Sequence, residues 1–427
     1  STDYKKTLFQ SFLEAKSIHK GPTKVLEDIT RVPLNYDQLL IRCFILGSAI
    51  TRLTEYQETV GLLLPNMIGA VVTFFALQAY GRVPALLNYS AGPAQIEAAC
   101  RIAKVRCIWT SRKFIELANL FNIVTRLIEK GIQLIYLEDI KAELSWKDKL
   151  FASLLTWFPH YYYAKKLKKI TNSNDPAVIL FTSGSEGEPK GVVLSHENIQ
   201  ANLAQMTTQI DFNQKDIFFS ALPLFHAFGL TACVILPIYH GIKTFIYPSP
   251  LHYRKVSNMI YECNATITFG TDTFLAGYGR YAHPYDFYSI RYVFAGAEKL
   301  KEKTRKLWME KFGIRIFEGY GVTEASPVIS VNTPMQNKAG TVGNLLPGIR
   351  YEIEPVPHIR GGGRLLVSGP NIMLGYLNSD QPGEIIPPSH GWYDTGDIVE
   401  VDANGYLSIK DRAKRFAKIS GEMISLT

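Results

Sequence analysis

The sequence is poor in cysteine and has no long uninterrupted hydrophobic run. Its 427 residues include five cysteines, an odd number with no C-x-x-C pair. This pattern argues against a disulfide framework and against a zinc site, and it favours buried free thiols in a reducing compartment. Charged residues make up 20% and hydrophobic residues 47% of the chain, a balance typical of folded rather than disordered proteins. A chain of this length is expected to form two or three lobes.

Residues 60–80 are the one candidate for a membrane span, since about 20 residues suffice to cross a bilayer. Pro65, Asn66 and Gln78 interrupt this stretch, and the residues 81–84 (GRVP) end it. A buried strand followed by a helix is therefore the favoured interpretation.

The formal net charge of +8 favours acidic partners without choosing among them. Residues 146–169 combine apolar and aromatic side chains with four lysines at positions 165, 166, 168 and 169. Such a mixture is typical of a segment lying on an anionic membrane surface, but it also suits an ordinary packed helix followed by a loop. Both interpretations stay open at this stage. No aromatic-plus-basic arrangement resembles an RNA-binding signature, so no nucleic acid partner is expected.

Strands and helices are predicted to alternate along most of the chain. Residues 1–53 suggest helices, with 39–50 buried, and residues 95–104 and 105–110 suggest a further helix and strand. Strands are expected at 217–221, 265–269, 290–295 and 314–317, and a surface helix at 300–312. After residue 332 the pattern changes to β structure, with a hairpin over 397–410.

Residues 182–191 (TSGSEGEPKG) form a glycine-rich loop between the apolar run 177–181 and the run 192–194, with a helix beginning near Ser195. Small residues allow a ligand to approach the backbone, the hydroxyls of Thr182, Ser183 and Ser185 can donate to phosphate oxygens, and Lys190 adds a positive charge. The loop does not fit G-x-x-x-x-G-K-[ST], because Gly191 follows Lys190. It predicts a cradle for the phosphates of a nucleotide.

Two later segments carry groups that suit the rest of a nucleotide. Residues 319–324 (GYGVTE) contain a ring, a hydroxyl and a carboxylate, and residues 393–397 (YDTGD) present carboxylates beside a glycine. Tyr320 could stack on a base, Thr323 could donate to a phosphate, and Glu324 could hold Mg²⁺. Asp397 could accept hydrogen bonds from both ribose hydroxyls.

These segments, in this order, resemble the core motifs of the adenylate-forming superfamily, which includes acyl-CoA synthetases, amino-acid adenylation domains and beetle luciferases. The resemblance covers essentially the whole chain. It implies the α/β fold of the large N-terminal domain of these enzymes: two α/β lobes up to about residue 332, and a small distorted β-barrel lobe over about 333–411. Residues 412–427 then correspond to the hinge and the start of a truncated C-terminal domain, most of which is absent.

The resemblance also implies roles for individual residues. ATP and Mg²⁺ are the expected cofactors, with Glu324 as the metal ligand. Catalysis is expected to involve Thr182, Lys190, Glu324 and Lys418, the last in the second half-reaction. The implied nucleotide-binding residues are Thr182, Ser183, Gly184, Ser185, Gly187, Lys190, Gly296, Ala297, Glu298, Gly319, Tyr320, Gly321, Thr323, Asp397 and Arg412. Phe225 and His226 match the segment that gates the acyl pocket, and Lys414 matches the hinge pivot.

Residues 248–254, 283–288 and 413–426 narrow the resemblance to the synthetase half of bacterial bifunctional 2-acylglycerophosphoethanolamine acyltransferase/acyl-acyl carrier protein synthetases. None of the nine histidines has aspartate five residues later, so the His-x-x-x-x-Asp pair of the acyltransferase half is not in this chain. The family's adenylation lysine, in a Gly-Lys segment of the C-terminal domain, falls beyond residue 427. Impaired turnover is therefore expected of this chain by itself.

The implied reaction activates a long-chain fatty acid as acyl-AMP and transfers it to the phosphopantetheine thiol of acyl carrier protein, in phospholipid and fatty-acid recycling. Two alternatives stay open: CoA as the acceptor, and a module that binds nucleotide or acyl-adenylate without turnover. The implied location is the bacterial cytoplasm, at the inner face of the membrane.

Overall fold

The computed structural model describes residues 4–167, 172–183, 188–357, 359, 361–412, 416–419 and 422–425, with the backbone alone from residue 411 onward. Its α-helices are α1 (Leu8–His19), α2 (Tyr36–Leu53), α3 (Ile68–Ala79), α4 (Pro93–Ile102), α5 (Arg112–Leu117), α6 (Phe121–Glu129), α7 (Leu137–Glu143), α8 (Trp146–Leu155), α9 (Pro159–Tyr162), α10 (His196–Thr207), α11 (Leu236–Tyr239), α12 (Tyr253–Glu262), α13 (Asp272–Tyr281) and α14 (Glu302–Phe312). Two π-helical segments, Tyr163–Leu167 and Phe228–Ile235, and two short 3-10 helices, Thr323–Ala325 and Ser389–Gly391, complete the helical structure of the described residues.

The strands of the first half are β1 (Lys24–Glu27), β2 (Leu34–Asn35), β3 (Thr59–Leu63), β4 (Val83–Leu86), β5 (Cys107–Thr110), β6 (Gln133–Tyr136), β7 (Pro176–Ser183), β8 (Pro189–Ser195) and β9 (Ile217–Ser220). Those of the second half are β10 (Lys243–Ile246), β11 (Ile267–Gly270), β12 (Tyr292–Ala295), β13 (Ile316–Gly321), β14 (Val328–Val331), β15 (Asn344–Leu345), β16 (Arg350–Pro355), β17 (Gly363–Ser368), β18 (Gly375–Leu377), β19 (Tyr393–Val401), β20 (Leu407–Arg412), β21 (Phe416–Ile419) and β22 (Glu422–Ser425).

Two large sheets form the body of the protein. One has nine strands in the order β15-β14-β13-β12-β11-β9-β10-β1-β2, and the other has seven in the order β18-β8-β7-β4-β3-β5-β6. Their central strands are parallel and are covered by helices, so both faces of each strand are buried and the sequences read as continuous apolar runs. This α/β architecture confirms the predicted fold class.

A four-stranded antiparallel sheet, β16-β17-β19-β20, forms the smaller β lobe, and the hairpin β19–β20 agrees with the one predicted over 397–410. The lobe is not a separate block, however. β15 and β18 fall within residues 333–411, yet β15 pairs with β14 of the nine-stranded sheet and β18 pairs with β8 of the seven-stranded sheet. This stretch of chain therefore ties the β lobe to both large sheets.

Most of the predicted elements are confirmed within a few residues. Residues 60–80 form β3 and α3, and α3 is almost wholly buried, as predicted for a strand and helix of the interior. No helix in the described part of the chain is long and apolar enough to cross a membrane. All five cysteines are buried free thiols.

The expectation of helices alone over residues 1–53 is wrong in one respect, because β1 and β2 lie between α1 and α2. β1 pairs in parallel with β10, and Leu26 lies opposite Thr244. The partner strand is more than 200 residues away in sequence, so its presence could not be inferred from the short local pattern. β1 is a strand because it pairs with β10, and not because of the β-propensity of its own residues.

Candidate active site

The predicted phosphate loop joins the two strands of a β-hairpin. The buried run of β7 aligns antiparallel with β8, so that Thr182 lies opposite Lys190 and Ser183 opposite Pro189 at the end of the hairpin. Ser183 is exposed and Thr182 and Lys190 are half-buried. The residues that carry two hydroxyls and an ammonium group therefore stand together at the end of the hairpin. The predicted residues Gly184, Ser185 and Gly187 lie outside the described residues.

The hairpin is followed at once by α10, whose start is fixed by local hydrogen bonds. The Ser195 hydroxyl accepts from the Asn198 backbone N–H at 3.0 Å, while the Asn198 side chain accepts from the Ser195 N–H at 2.9 Å. This reciprocal arrangement satisfies two of the backbone donors that a helix leaves unpaired at its beginning. It confirms the predicted helix start and anchors β8 beside the loop.

Lys190 and Glu324 come together through a tyrosine that the sequence analysis did not identify. The Tyr376 hydroxyl donates to Glu324 Oε1 at 2.5 Å, and Lys190 Nζ lies 5.0 Å from the centre of the Tyr376 ring. The Tyr393 hydroxyl lies 3.2 Å from that of Tyr376. These four side chains form a cluster of one cation, one carboxylate and two phenols, and we call it the Glu324 cluster.

Burial is the main cause of the raised pKa of both phenols in the Glu324 cluster. It raises the pKa of Tyr376 above its usual value, and the neighbouring Glu324 carboxylate raises it further. The pKa of Tyr393 is raised in the same direction, again first by burial and then by Glu324. Two neutral phenols thus lie next to one another at the Glu324 carboxylate, and Tyr376 donates a hydrogen bond to it.

Tyr320 and Asp397 form a second pair of the site. The Tyr320 hydroxyl donates to Asp397 Oδ2 at 2.5 Å, and both residues are buried. Asp397 is positioned locally as well, because its backbone N–H donates to the Thr395 hydroxyl at 3.1 Å. The ring proposed for the base and the carboxylate proposed for the ribose are therefore neighbours in the structure.

A single large cavity of about 1310 Å³ brings most of the other predicted residues together. Its lining contains nine of them: Phe225, His226, Gly296, Ala297, Glu298, Gly319, Tyr320, Gly321 and Thr323. The rest of the lining is mainly apolar and aromatic, and includes Met206, Ile210, Phe212, Ala232, Leu236, Phe269 and Phe294. Such a cavity, apolar with few polar groups at one part, is typical of a small-molecule site.

Thr182, Lys190, Glu324 and Asp397 do not line this cavity, but they border it. Glu324 follows the cavity residue Thr323 directly in the chain. Asp397 contacts Tyr320, which lines the cavity. The Glu324 cluster and the hairpin end thus lie at the rim of the same cavity, so the candidate site is continuous.

Glu298 has a structural contact that its predicted role did not include. Its Oε2 accepts from the Thr273 backbone N–H at 2.9 Å and from the Thr273 hydroxyl at 2.8 Å, at the start of α13. A carboxylate here stabilises the first turn of the helix by satisfying a free N–H and by opposing the helix dipole. Ala297, just before it, has a left-handed φ of 67°. Glu298 therefore fixes this wall of the cavity through α13.

Phe225 and His226 lie on the cavity wall beside Tyr89. The Phe225 ring centre is 4.6 Å from that of His226 and 4.8 Å from that of Tyr89, in an edge-on arrangement with the latter. His226 lines the cavity with an exposed side chain, and desolvation by the protein packed around its ring lowers its pKa. Burial also raises the pKa of Tyr89 to about 12. The three rings form a neutral aromatic edge to the apolar part of the cavity.

The three predicted residues beyond residue 411 are described only in part, and of these Arg412, expected at the ribose, lies opposite Asp397 in the register of β20 and β19. Lys414 lies outside the described residues. Arg412 and Lys418 lie on β20 and β21, where the backbone alone is described. Their roles remain predictions.

Sequence reasoning missed Tyr376, Tyr393 and Tyr89. Tyr393 stands at the beginning of the segment that was singled out for Asp397, so a weak signal was present. Tyr376 and Tyr89 had no such signal, because each lies on a separate stretch of chain and reaches the site only through the sheet packing.

Comparison with known proteins identifies the family of the chain. The family described as AMP-binding enzyme matches residues 18–377. The chain belongs to the AMP-binding enzyme family, and its fold is the α/β fold of the large N-terminal domain of adenylate-forming enzymes.

Three similar proteins illustrate the range of this family. A probable 4-coumarate–CoA ligase 2 of Dictyostelium discoideum is 27% identical over 380 residues, which is 85% of this chain and 69% of that protein. A long-chain-fatty-acid–CoA ligase of Salmonella typhimurium is 26% identical over 394 residues, again 85% of this chain and 69% of that protein. The structure of O-succinylbenzoate coenzyme A synthetase (MenE) from Bacillus subtilis, in complex with ATP and magnesium ion, superposes with a TM-score of 0.79 at 20% identity, covering 99% of this chain and 82% of that one. At that identity the superposition supports the fold alone.

Proposed function

We propose that this protein activates a long-chain fatty acid with ATP and passes the acyl group to the phosphopantetheine thiol of acyl carrier protein. In the first step a carboxylate oxygen attacks the α-phosphorus of ATP, the bond to the β-phosphate oxygen breaks, and acyl-AMP and pyrophosphate form. In the second step the thiol sulfur attacks the acyl carbon, AMP leaves with the bonding electrons, and the thiol proton is released to water or a base. The overall products are a thioester, AMP and pyrophosphate.

The cavity is the observation that carries this proposal. It joins a wall of glycines and Tyr320 to a large apolar volume, so a nucleotide and an acyl chain can occupy one continuous space. Apolar side chains such as Met206, Phe212 and Leu236 suit a hydrocarbon chain and offer few partners to a polar substrate. The named activity of the Salmonella relative on long-chain fatty acids supports the same substrate class.

The residues at the rim suit the charged part of the reaction. A fatty carboxylate and the triphosphate repel each other, and Lys190 with the hydroxyls of Thr182 and Ser183 can offset that repulsion. Preorganised donors of this kind act chiefly by stabilising the charge that develops in the transition state. Positioning of the two substrates in one cavity contributes as well, because it removes the entropic cost of bringing them together.

The Glu324 cluster fits a magnesium ion. Among the described residues no group of three or more His, Cys, Asp or Glu side chains could form a metal cage. Mg²⁺ needs none, since it is commonly held by one or two carboxylates together with substrate phosphates and water. Glu324 would hold it, and Tyr376 would orient that carboxylate. When bound, the ion would neutralise phosphate charge.

The acceptor is the least constrained part of the proposal. The resemblance of residues 248–254 and 283–288 to bacterial bifunctional acyltransferase/synthetases supports acyl carrier protein. The relatives found by comparison are named as CoA ligases, which favours CoA as the second candidate. Both acceptors present the same phosphopantetheine thiol, so the first half-reaction is common to them.

A pyrophosphate-exchange assay with fatty acids of increasing length tests the first half-reaction, and thioester formation with each acceptor tests the second. We expect exchange that depends on a long-chain acid and Mg²⁺. The Glu324→Gln variant should lose it, whereas Glu310→Gln on the exposed face of α14 should not. Nucleotide binding without any exchange, even when the chain is extended through the C-terminal domain that the resemblance implies, would contradict the proposal and favour a binding module. Thioester formation with CoA but not with acyl carrier protein would leave the activation step standing and overturn the proposed acceptor.

A further inference from the structure

A group of large apolar side chains on and after α8 points away from the protein. Their side chains are between 52% and 74% exposed. They are Trp146, Leu150, Phe151, Leu154, Trp157, Phe158 and Tyr161, and we call them the aromatic patch. Single exposed apolar residues are common on protein surfaces, but a contiguous group of this size marks an interaction site.

The orientation of α8 is the reverse of that in a typical surface helix. With 3.6 residues per turn, the exposed Trp146, Leu150, Phe151 and Leu154 fall within a sector of about 140°. The helix packs on α2 through its opposite side, where Ala152 is the one fully buried residue. A surface helix normally buries its apolar stripe against the core. Here Ala152 and the half-buried Leu155 face the protein, and most of the large apolar side chains of α8 face outward.

This orientation is supported by the fold. A capping box begins α8, in which the Asp148 carboxylate accepts from the Ser145 backbone N–H at 2.9 Å and the Ser145 hydroxyl accepts from the Asp148 N–H at 3.2 Å. The segment after it is anchored by Tyr163, whose hydroxyl lies 2.6 Å from that of the buried Thr7. The start of α8 is thus fixed by hydrogen bonds within the helix, and the segment after the patch is attached to Thr7, which caps α1.

The charges around the aromatic patch are mainly positive. Lys147, Lys149, Lys165 and Lys166 are exposed, and in the described part of the chain none of them forms an ion pair with a carboxylate. The nearby Glu143 is paired with Arg52 at 2.6 Å. The surface therefore offers aromatic rings together with free ammonium groups, the combination found where proteins contact anionic headgroups.

The aromatic patch begins close to an opening of the cavity. Lys113 and Leu117 of α5 and Glu138 and Lys141 of α7 are exposed and also line the cavity, so the cavity reaches the surface between these helices. Trp146 follows Lys141 after five residues, a length of chain that spans at most about 18 Å. Any surface to which the aromatic patch binds would therefore lie beside this opening of the cavity.

We propose that the aromatic patch docks the protein onto an anionic membrane surface, with its rings at headgroup depth and the four lysines against the lipid phosphates. A purely apolar protein partner is a poorer fit, because the lysines would lose their hydration without gaining opposite charges. The docking brings the cavity opening beside a source of fatty acids. It does not depend on which thiol accepts the acyl group, and it can be measured without turnover.

Two exposed tryptophans provide a direct test. Trp146 and Trp157 belong to the aromatic patch, whereas Trp109 and Trp308 are fully buried. Vesicles of zwitterionic lipid with a fraction of phosphatidylglycerol, carrying brominated acyl chains, should quench the fluorescence of the patch tryptophans. Co-sedimentation with the same vesicles should give the partition coefficient. Changing all four lysines to glutamine should weaken it by roughly fivefold for each lysine near the surface, and salt should weaken it too.

Two matched triple variants distinguish binding through the aromatic patch from binding through any exposed apolar residues. Phe151→Ser, Leu154→Ser and Phe158→Ser remove patch residues and keep both tryptophans, while Ile18→Ser, Tyr285→Ser and Met335→Ser remove apolar residues elsewhere that are at least as exposed. We expect the first set to abolish vesicle binding and quenching and the second to leave them unchanged, with the same melting temperature in both. Equal binding by the two variants would overturn the proposal. So would equal binding to vesicles without phosphatidylglycerol, or self-association through the patch without vesicle binding.

Discussion

The hydroxyl of Tyr320 donates a hydrogen bond to the carboxylate of Asp397 at 2.5 Å, across 77 residues of sequence. Tyr320 belongs to β13 of the nine-stranded sheet and Asp397 to β19 of the β lobe. The bond thus joins two parts of the fold at the point where the cavity begins. A nucleotide bound there would contact both parts at once, so its affinity depends on their relative position.

Substitution of Asp397 should weaken AMP binding. A carboxylate that accepts hydrogen bonds from two ribose hydroxyls contributes roughly 1.5 to 3 kcal/mol for each. We therefore expect Asp397→Ala to lower AMP affinity at least tenfold, measured by isothermal titration calorimetry. Unchanged affinity in a folded variant would remove Asp397 from the site.

Tyr320→Phe serves as the matched comparison, since it removes the hydrogen bond and keeps the ring. If the ring stacks on the base, this variant should retain more AMP affinity than Asp397→Ala, and Tyr320→Ala should lose more than Tyr320→Phe. An equal loss in the phenylalanine and alanine variants would show that the hydroxyl matters and that stacking does not.

Tyr376→Phe should raise the Mg²⁺ concentration required for pyrophosphate exchange. The substitution leaves Glu324 in place and removes the hydrogen bond that orients it. Loss of such a supporting contact typically costs about 10- to 100-fold in metal affinity or activity. The measurement is the exchange rate as a function of Mg²⁺ for the wild type and the variant. The same half-saturating Mg²⁺ in both would argue against Glu324 as the metal ligand.

Ala232→Leu should shift the preference toward shorter fatty acids. Ala232 is buried and lines the apolar part of the cavity, so a larger side chain occupies space that an acyl chain needs. A misfit of one or two methylenes in such a pocket changes the ratio of kcat/KM values by about 10- to 200-fold. The affinity for ATP should stay the same, which serves as the internal control. An equal loss for short and long acids would place Ala232 away from the chain.

His226 should titrate below the usual pKa of a histidine, because burial disfavours its charged form. As the pH falls, His226 is protonated at about pH 6.5 in the unfolded chain and only at a lower pH in the folded chain. Protonation of the unfolded chain therefore lowers the free energy of unfolding as the pH falls from about 6.5 toward the lowered pKa of the folded state, and above that pH this loss is absent. The free energy of unfolding should fall less between pH 7.5 and 5.5 in His226→Gln than in the wild type. An NMR midpoint at or above that of the denatured chain would contradict this.

Much of the fold was predictable because its signals are local. The buried run of β7, the small residues after it and the capping box at Ser195 stand next to one another in the chain, so they indicate a strand, a loop and a helix start without any partner. β1 shows the limit of this reasoning. Four residues carry too little pattern, and only the pairing with β10 makes them a strand.

The sequence by itself determined which residues are predicted to carry the chemistry: a predicted phosphate loop with Lys190, a ring at Tyr320, and carboxylates at Glu324 and Asp397. Tertiary structure alone decided how they are connected. Tyr376 lies on β18, which pairs antiparallel with β8, and that pairing sets its ring beside Lys190. Tertiary structure also decided which face of α8 is exposed, since the same apolar residues could have packed inward. A helical pattern shows which residues share a face, whereas the packing of neighbouring elements determines which face is buried.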